Sequence, residues 1–435
     1  MDKMQQPLER FVIEGGIPLN GEVYPSGNKN AALPALAATL LTDERVVLHN
    51  IPHIRDVQMM LALLEDLGVT VERLGEHDYA LTARTVLKTA LDPALGQEIR
   101  ASILLAGPLL ARCQEVVLPP PGGDVIGRRR VDTHFLSLHA LGASIEANHL
   151  RYILKSPKGL WGSDVFQDEA SVTATENAIM AAVTARGRTI LSNAACEPHV
   201  QDLCHLLNIL GAHIEGIGSN VLTIEGVERL HGGEYTIGPD HIEVGSFIGL
   251  AAATGGELLI HGAAPDHQRM TRLAFSRLGV SWDVRGRDIY VPGKQVLEVK
   301  DEADGNIPRI DDGPWPSFPT DLISIAVVLA TQTRGTTVIH EKMFENRLYF
   351  VDKLIGMGAR IIACDPHRVV VSGPARLHGE EMVSPDIRAG MALVIAALCA
   401  EGTSIIRNIH QIDRGYERLE GRLQALGARI RRERI

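Results

Sequence analysis

The sequence is poor in aromatic residues, at 4% of 435 positions, and holds only five cysteines: Cys113, Cys196, Cys204, Cys364 and Cys399. An odd number without a CxxC pair excludes a fully paired disulfide framework and a zinc ribbon. Their mostly apolar neighbours predict buried free thiols in a reducing cytoplasm. No apolar run is long enough to span a bilayer, so no membrane association is expected. The opening MDKMQQPLERFVIEGG lacks the apolar stretch of a secretory leader. Positive charge is not in excess: 43 Lys and Arg face 53 Asp and Glu, a net charge of −10. That balance argues against nucleic acid or an anionic membrane as the main partner, while leaving room for a local basic cleft. The 17 histidines form no HExxH or Cys/His cluster, so no metal site is expected. GIPLNGEV has the glycine spacing of a phosphate-binding loop but no lysine after the second glycine.

What is present is a soluble, globular composition, 45% hydrophobic and 22% charged, on a chain too long for one ordinary core. The chain also repeats itself. LLEDLGVTV, LHALGASI, LNILGAHI, FSRLGVSW, LIGMGARI and LQALGARI each end a helix-like run in Leu or Met, then glycine, then a small residue and a β-type run. The glycines are Gly68, Gly142, Gly211, Gly279, Gly358 and Gly427, separated by 74, 69, 68, 79 and 69 residues. Each reads as a helix-terminating glycine that needs positive φ. Between them fall six Ala-rich helices, apolar on all sides and therefore buried, each followed by a short strand: RVVLHNI, QEVVLPP, RTILSNA, GELLIHG, GTTVIHE and GTSIIRN. Six units of about 70 residues, split between two domains, give three per domain.

These oily helices open on polar residues: Lys29 with Asn30, Arg100, Thr175 with Glu176, Glu243 with Ser246, Asp321, and Arg388. Ordinary N-capping accounts for Thr175, Ser246 and Asp321. It does not account for Lys29, Arg100 and Arg388, because a cation at a helix N-terminus is electrostatically unfavourable unless an anion is bound there. A second candidate is PPPGGDVIGRRRVDTH, from Pro119 to His134. It sets Asp124 on a Pro/Gly-rich hinge, Pro119 to Gly123, ahead of three arginines. That pattern is either a solvated loop or a lid carrying an acid and cations onto an anionic substrate.

SGNKNAALP, GGDVIG with its following arginine, FPTD, FENR, DIRA and IDRGYER occur in this order along essentially the whole chain. Together they resemble the UDP-N-acetylglucosamine enolpyruvyl transferases of peptidoglycan synthesis. The resemblance implies an α/β fold, the two-domain inside-out α/β barrel shared with 5-enolpyruvylshikimate-3-phosphate synthase, with six βαβαββ-type repeats. The domains are expected at 24–238 and at 1–23 plus 239–435, with the active site in the cleft between them. The implied partners are the small molecules phosphoenolpyruvate and UDP-N-acetylglucosamine, with no cofactor and no obligate protein partner.

By motif, the resemblance places Lys29 and Asn30 at the phosphoenolpyruvate site, with Arg129, Arg347, Arg388 and Arg414 on its phosphate and carboxylate. Arg100, Arg129, Arg130, Val131, Asp132, Thr133, Glu169, Ser171, Val172, Asp321 and Met343 fall to the UDP-sugar. Asp124 stands where this family usually has cysteine. It is the expected acid that protonates the methylene carbon of phosphoenolpyruvate, with Lys29, Asp321 and Arg414 as the other catalytic residues. Arginine suits the donor, being planar, always charged and bidentate to phosphate and carboxylate. Asp321 reads as the group that meets the acceptor hydroxyl, as a base or as an orienting acceptor. Glutamates flank Arg347 and Arg414, so without the resemblance both read as surface salt bridges. Arg130, Thr133, Glu169, Thr173 and Gln411 depart from the family pattern, and these departures cluster where the family holds uridine and diphosphate. Two rival readings follow: an enolpyruvyl transferase for another nucleotide or nucleotide-sugar acceptor, and a non-catalytic binder on the same fold. Because fosfomycin alkylates the family's cysteine, Asp124 implies resistance to it.

Overall fold

Runs such as AVVLATQ and MALVIAALC offer water no polar face, so they form stable helices only when enclosed. The computed structural model describes residues 9–123 and 126–434, and it encloses six such helices, three in each of two units. The inserted unit holds 27–123 and 129–238. The flanking unit holds 9–26, 126–128 and 239–434. Each has its own hydrophobic core.

In the inserted unit Ala106–Cys113 packs against Val172–Ala182, and Lys29–Ala38 packs on the 3₁₀ turn, Arg100–Leu105, that leads into Ala106–Cys113. In the flanking unit His241–Thr254, Ile323–Gln332 and Ile387–Cys399 pack against one another, and a 3₁₀ turn, Thr320–Leu322, leads into the second. The strands of the described residues form six separate sheets, five of four strands and one of three. They do not hydrogen-bond into one closed barrel.

All six sheets share one plan. The strand leaving each buried helix pairs antiparallel on one side and parallel on the other. Arg45–His49, for example, runs antiparallel to Tyr79–Thr82 and parallel to Gly233–Thr236. Arg188–Ser192, Glu257–Ile260, Gly335–His340 and Thr403–Arg407 repeat the arrangement. In the three-stranded sheet the parallel partner of Glu115–Leu118 shrinks to a single bridge from Ala90 to Val117.

The six repeat glycines all take positive φ, between 81° and 100°. In each case the N–H of the next residue bonds back five residues, as in Val69 to the Leu64 carbonyl and Ala428 to the Leu423 carbonyl. This is the Schellman closure, and it explains the glycine-plus-small-residue signature.

Three sequence expectations need correction. Thr175, Ser246 and Asp321 are not N-caps. The capping side chains are Asn28, Asp240 and Asp386, each accepting two backbone N–H groups of its helix. Thr175 instead donates to Gln167, and Ser246 donates to the Ile242 carbonyl one turn back. The thiols are not uniformly buried: Cys196 and Cys204 are, but Cys364 is exposed on the strand Arg360–Asp365. The glycines of GGD do more than hinge. A Cβ on Gly122 would overlap the Gln97 carbonyl, and Gly123, at φ 104°, would meet Arg100.

The basic C-terminal stretch folds into a helix, Leu419–Ala425, and a strand, Arg429–Arg434, antiparallel to Glu9–Glu14. Arg432 is met there by Glu9, Asp413 and Glu420.

Candidate active site

In the flanking unit the 3₁₀ turn before a buried helix puts Asp321 between two buried arginines. Arg347 Nη2 donates to Asp321 Oδ1 at 2.7 Å, and Arg388 Nε donates to Oδ2 at 2.9 Å. Arg388 sits in the first turn of its helix because Asp386 caps that turn, accepting from the N–H groups of Arg388 and Ala389. The cation at that N-terminus is thus met by protein carboxylates. Arg388 also lies over the Tyr416 ring, 5.5 Å from its centroid. The Tyr416 hydroxyl is 3.0 Å from Ser246 Oγ, whose own proton goes to the Ile242 carbonyl, so tyrosine is the donor. Arg414 is buried and donates to Gln411. Met343 is half-buried, its N–H donating to Glu341. Ile126–Arg128 pack in this same unit, bonded to Glu345 and Asn346 of FENR.

In the inserted unit Lys29 Nζ lies 2.8 Å from Asp56 Oδ2, and Asn30 follows it in the first helical turn. Arg100 donates to the carbonyl of Arg130 at 2.8 Å. Burial and then the neighbouring Arg129 guanidinium lower its pKa to about 10, the mark of a cation held against a second cation. The Glu169 carboxylate pulls the other way.

The segment Arg129–Thr133 is held from the opposite side by Asp168. Arg130 Nη2 donates to Asp168 Oδ2 at 3.0 Å, and the Thr133 hydroxyl to Oδ1 at 2.7 Å. The Thr133 bond, with Arg130, keeps the Asp168 carboxyl below its usual range. Arg130 also bonds Asp132, and Val131 is half-buried between them. Ser171 and Val172 open the Val172–Ala182 helix, where Ser171 N–H donates to the Glu169 carbonyl.

Behind this rim lies a buried chain. Asn177 accepts the Gly107 N–H and donates to the Ile103 carbonyl and to His134 Nδ1. Accepting at Nδ1 leaves His134 its proton on Nε2, which donates to Thr173 Oγ1. Burial first, then Arg100, lowers the His134 pKa to about 3, so the ring stays neutral.

Three predicted anion-binding arginines share one feature. Arg100 Nε, Arg347 Nε and Arg388 Nη1 are buried without an acceptor among the described residues. Buried donors without acceptors are rare in folded proteins, and guanidinium donors most costly of all. Asp124 lies outside the described residues. Asp56, Asp168, His134, Asn177, Glu341, Asp386 and Tyr416 were not anticipated from sequence. Only Asp386, a cap residue directly before IRAGM, carried a local signal.

The sequence profile of the EPSP synthase family (3-phosphoshikimate 1-carboxyvinyltransferase) matches residues 13–423. The chain belongs to this family. Within the EPSP synthase family it is 57% identical over 424 residues to a Treponema denticola protein named UDP-N-acetylglucosamine 1-carboxyvinyltransferase, covering 97% of this chain and 99% of that one. A Bacteroides fragilis protein of the same name is 50% identical over 433 residues, 98% and 100% of the two chains. Among solved structures, the enolpyruvyl transferase NikO from Streptomyces tendae superposes with a TM-score of 0.86 at 24% identity, over 99% of this chain and 100% of that one. An EPSP synthase from Acinetobacter baumannii gives 0.75 at 17%, over 98% and 100%. These two likenesses confirm the fold.

Proposed function

We propose that the protein transfers the enolpyruvyl group of phosphoenolpyruvate to the 3′-hydroxyl of UDP-N-acetylglucosamine and releases phosphate, the first committed step of peptidoglycan precursor synthesis. The observation that carries this reading is the set of buried, acceptor-less N–H groups on Arg100, Arg347 and Arg388. The phosphate and carboxylate of phosphoenolpyruvate supply oxygens for Arg347 and Arg388, and the diphosphate of the nucleotide sugar supplies them for Arg100. The names of relatives 50–58% identical over nearly the whole chain support the acceptor.

The chemistry is addition followed by elimination. The sugar hydroxyl attacks the central carbon of phosphoenolpyruvate while its methylene carbon gains a proton. The tetrahedral adduct, whose attacking oxygen has given up its proton, then loses a proton from the new methyl carbon together with phosphate, leaving an enolpyruvyl ether. Asp124 is the acid that protonates this methylene carbon. Lys29, held by Asp56, and Arg129, Arg347, Arg388 and Arg414 balance the donor's charge and stabilise the adduct.

Both oxygens of Asp321 already accept charge-assisted bonds from Arg347 and Arg388. What remains for a substrate hydroxyl is an accepting lone pair, so Asp321 orients the nucleophile rather than acting as a strong base. Arg100, the Arg130–Thr133 segment, Glu169, Ser171 and Val172, with Met343, receive the nucleotide sugar. No helix among the described residues is long and apolar enough to cross a membrane. The substrates are cytoplasmic metabolites, so the reading places the protein in the cytoplasm.

Phosphate release from phosphoenolpyruvate tests this directly. Release should require UDP-N-acetylglucosamine, fall by orders of magnitude in Asp124→Asn, and fall less in Asp321→Asn than in Asp321→Ala. Binding of both ligands without release would make the protein a non-catalytic binder.

A further inference from the structure

Glu341 is fully buried and ties together two parts of the flanking unit's cluster. Its Oε2 accepts from the hydroxyl of Thr320, the residue before Asp321, at 2.8 Å. Its Oε1 accepts the N–H groups of Met343 and Phe344, both at 2.9 Å, in the loop that ends at Arg347. Beside it lies Asp312, 2% exposed, whose N–H donates at 3.3 Å to the carbonyl of His340, the residue before Glu341. Asp312 Oδ1 accepts the N–H of Lys342, whereas Oδ2 is buried with no donor among the described residues as long as both groups are carboxylates.

We infer that Glu341 and Asp312 share one proton, and that this protonated pair positions Asp321 and Arg347 for the reaction proposed above. The inference rests on that functional reading only for what is being positioned. A proton on Glu341 is the donor that Asp312 Oδ2 lacks. Without it, two buried carboxylates would repel in a medium that screens poorly.

The other charged groups nearby do not fill the gap. Arg347 attracts Glu341, but its Nη2 donates to Asp321, its Nη1 lies 4.0 Å from Asp386, and its Nε meets no acceptor among the described residues. The Lys342 ammonium turns to Asp311, which also takes Arg309 and His340. His367 meets the backbone carbonyl of Glu341, not its carboxyl. Burial, followed by the bond to Asp312 and its charge, pushes the Glu341 pKa up to about 8. At neutral pH the pair is therefore closed. As pH rises through about 8 it loses its proton, and the bond between the two carboxyls gives way to repulsion that pushes Asp312 and the loop held by Glu341 apart.

The test is the pH profile of kcat/KM for phosphoenolpyruvate in wild type, Asp312→Asn and Glu341→Gln. Each substitution replaces one carboxyl by a neutral isostere, so the pair no longer needs a proton. In wild type kcat/KM should fall by up to about tenfold per pH unit above about pH 8, mostly through KM. Asp312→Asn should keep its neutral-pH activity, and both variants should move that limb up by at least about one unit. An unmoved limb in both would overturn the positioning role. Infrared titration reads the proton independently of activity. Wild type should show a protonated-carboxyl band that disappears near pH 8 and is missing from Glu341→Gln, and persistence of that band in the variant would overturn the shared proton. If wild type released no phosphate but showed the band, the functional reading would fail and the proton pair would stand.

Discussion

Lys29 Nζ sits 2.8 Å from Asp56 Oδ2 with both side chains almost fully buried. Each is costly without the other, because a buried charge that loses its partner keeps its desolvation penalty. Asp56→Ala should destabilise the inserted unit by about 3–5 kcal/mol. It should also weaken phosphoenolpyruvate binding, since Lys29 would no longer be fixed. Denaturant unfolding and isothermal titration check the two effects. Unchanged stability would mean that Lys29 finds another partner at no cost.

Asp168 makes a different kind of contact. Its two bonds hold the Arg129–Thr133 segment, but Arg130 is exposed while Thr133 is buried. Exposed ion pairs contribute about 0–1 kcal/mol, and a buried hydroxyl bond to a carboxylate contributes about 1.5–3 kcal/mol. Asp168→Ala should therefore raise the KM for UDP-N-acetylglucosamine by about tenfold with little change in kcat, and Arg130→Ala by about threefold or less. Steady-state kinetics would refute this if kcat fell as far as kcat/KM in both.

These pairs also mark the limit of what the sequence shows. The repeat was legible because each unit must end a helix with glycine and bury an apolar helix, and both requirements are local in sequence. Gly68 and Gly427 announce themselves within nine residues. Lys29 with Asp56, Asp168 with Thr133, and Asp321 with Arg347 and Arg388 are separated by 26 to 67 positions. Their meeting depends on how elements distant in sequence pack, within a repeat as well as between repeats, for which no spacing rule exists. The cations Lys29 and Arg388 were conspicuous at their helix starts. Their nearest anions proved to be protein carboxylates, so the stronger sign of a ligand is the orphaned N–H on Arg100, Arg347 and Arg388, which only coordinates reveal.

His134 is held neutral, its pKa lowered to about 3 by burial and Arg100. Because the folded-state value lies below the unfolded one, this histidine stabilises the fold above about pH 6.5. The contribution is lost progressively as pH falls from there toward 3. His241 in the flanking unit shifts in the same direction, so wild type has two such contributions. In His134→Gln, whose amide can bridge Asn177 and Thr173, the acid-side fall in melting temperature should be shallower than in wild type. Parallel curves for the two proteins would contradict the neutral assignment.

Asp124 predicts the response to fosfomycin. A carboxylate is a weaker nucleophile than a thiolate toward an epoxide, so no stoichiometric adduct should form at this position. Intact-mass analysis after incubation with fosfomycin and UDP-N-acetylglucosamine should show unmodified protein, and Asp124→Cys should gain one adduct. An adduct on wild type, mapped to Asp124, would sink the prediction.

The repeat glycines separate two penalties that usually travel together. Gly279 and Gly427 both end a helix at positive φ, 81° and 96°. A Cβ on Gly427 would meet nothing within 4 Å, whereas on Gly279 it would lie 2.7 Å from the Glu298 backbone nitrogen and 3.0 Å from its oxygen. Gly427→Ala therefore incurs only backbone strain, about 1–2 kcal/mol, partly offset by the lower entropy of its unfolded chain. Gly279→Ala adds a collision with backbone that no side-chain rotation relieves. It should cost clearly more, by at least about 1 kcal/mol beyond Gly427→Ala. Matched denaturation curves decide the point: equal losses would mean that the segment around Glu298 yields freely, and that positive φ alone is what the repeat demands of its glycine.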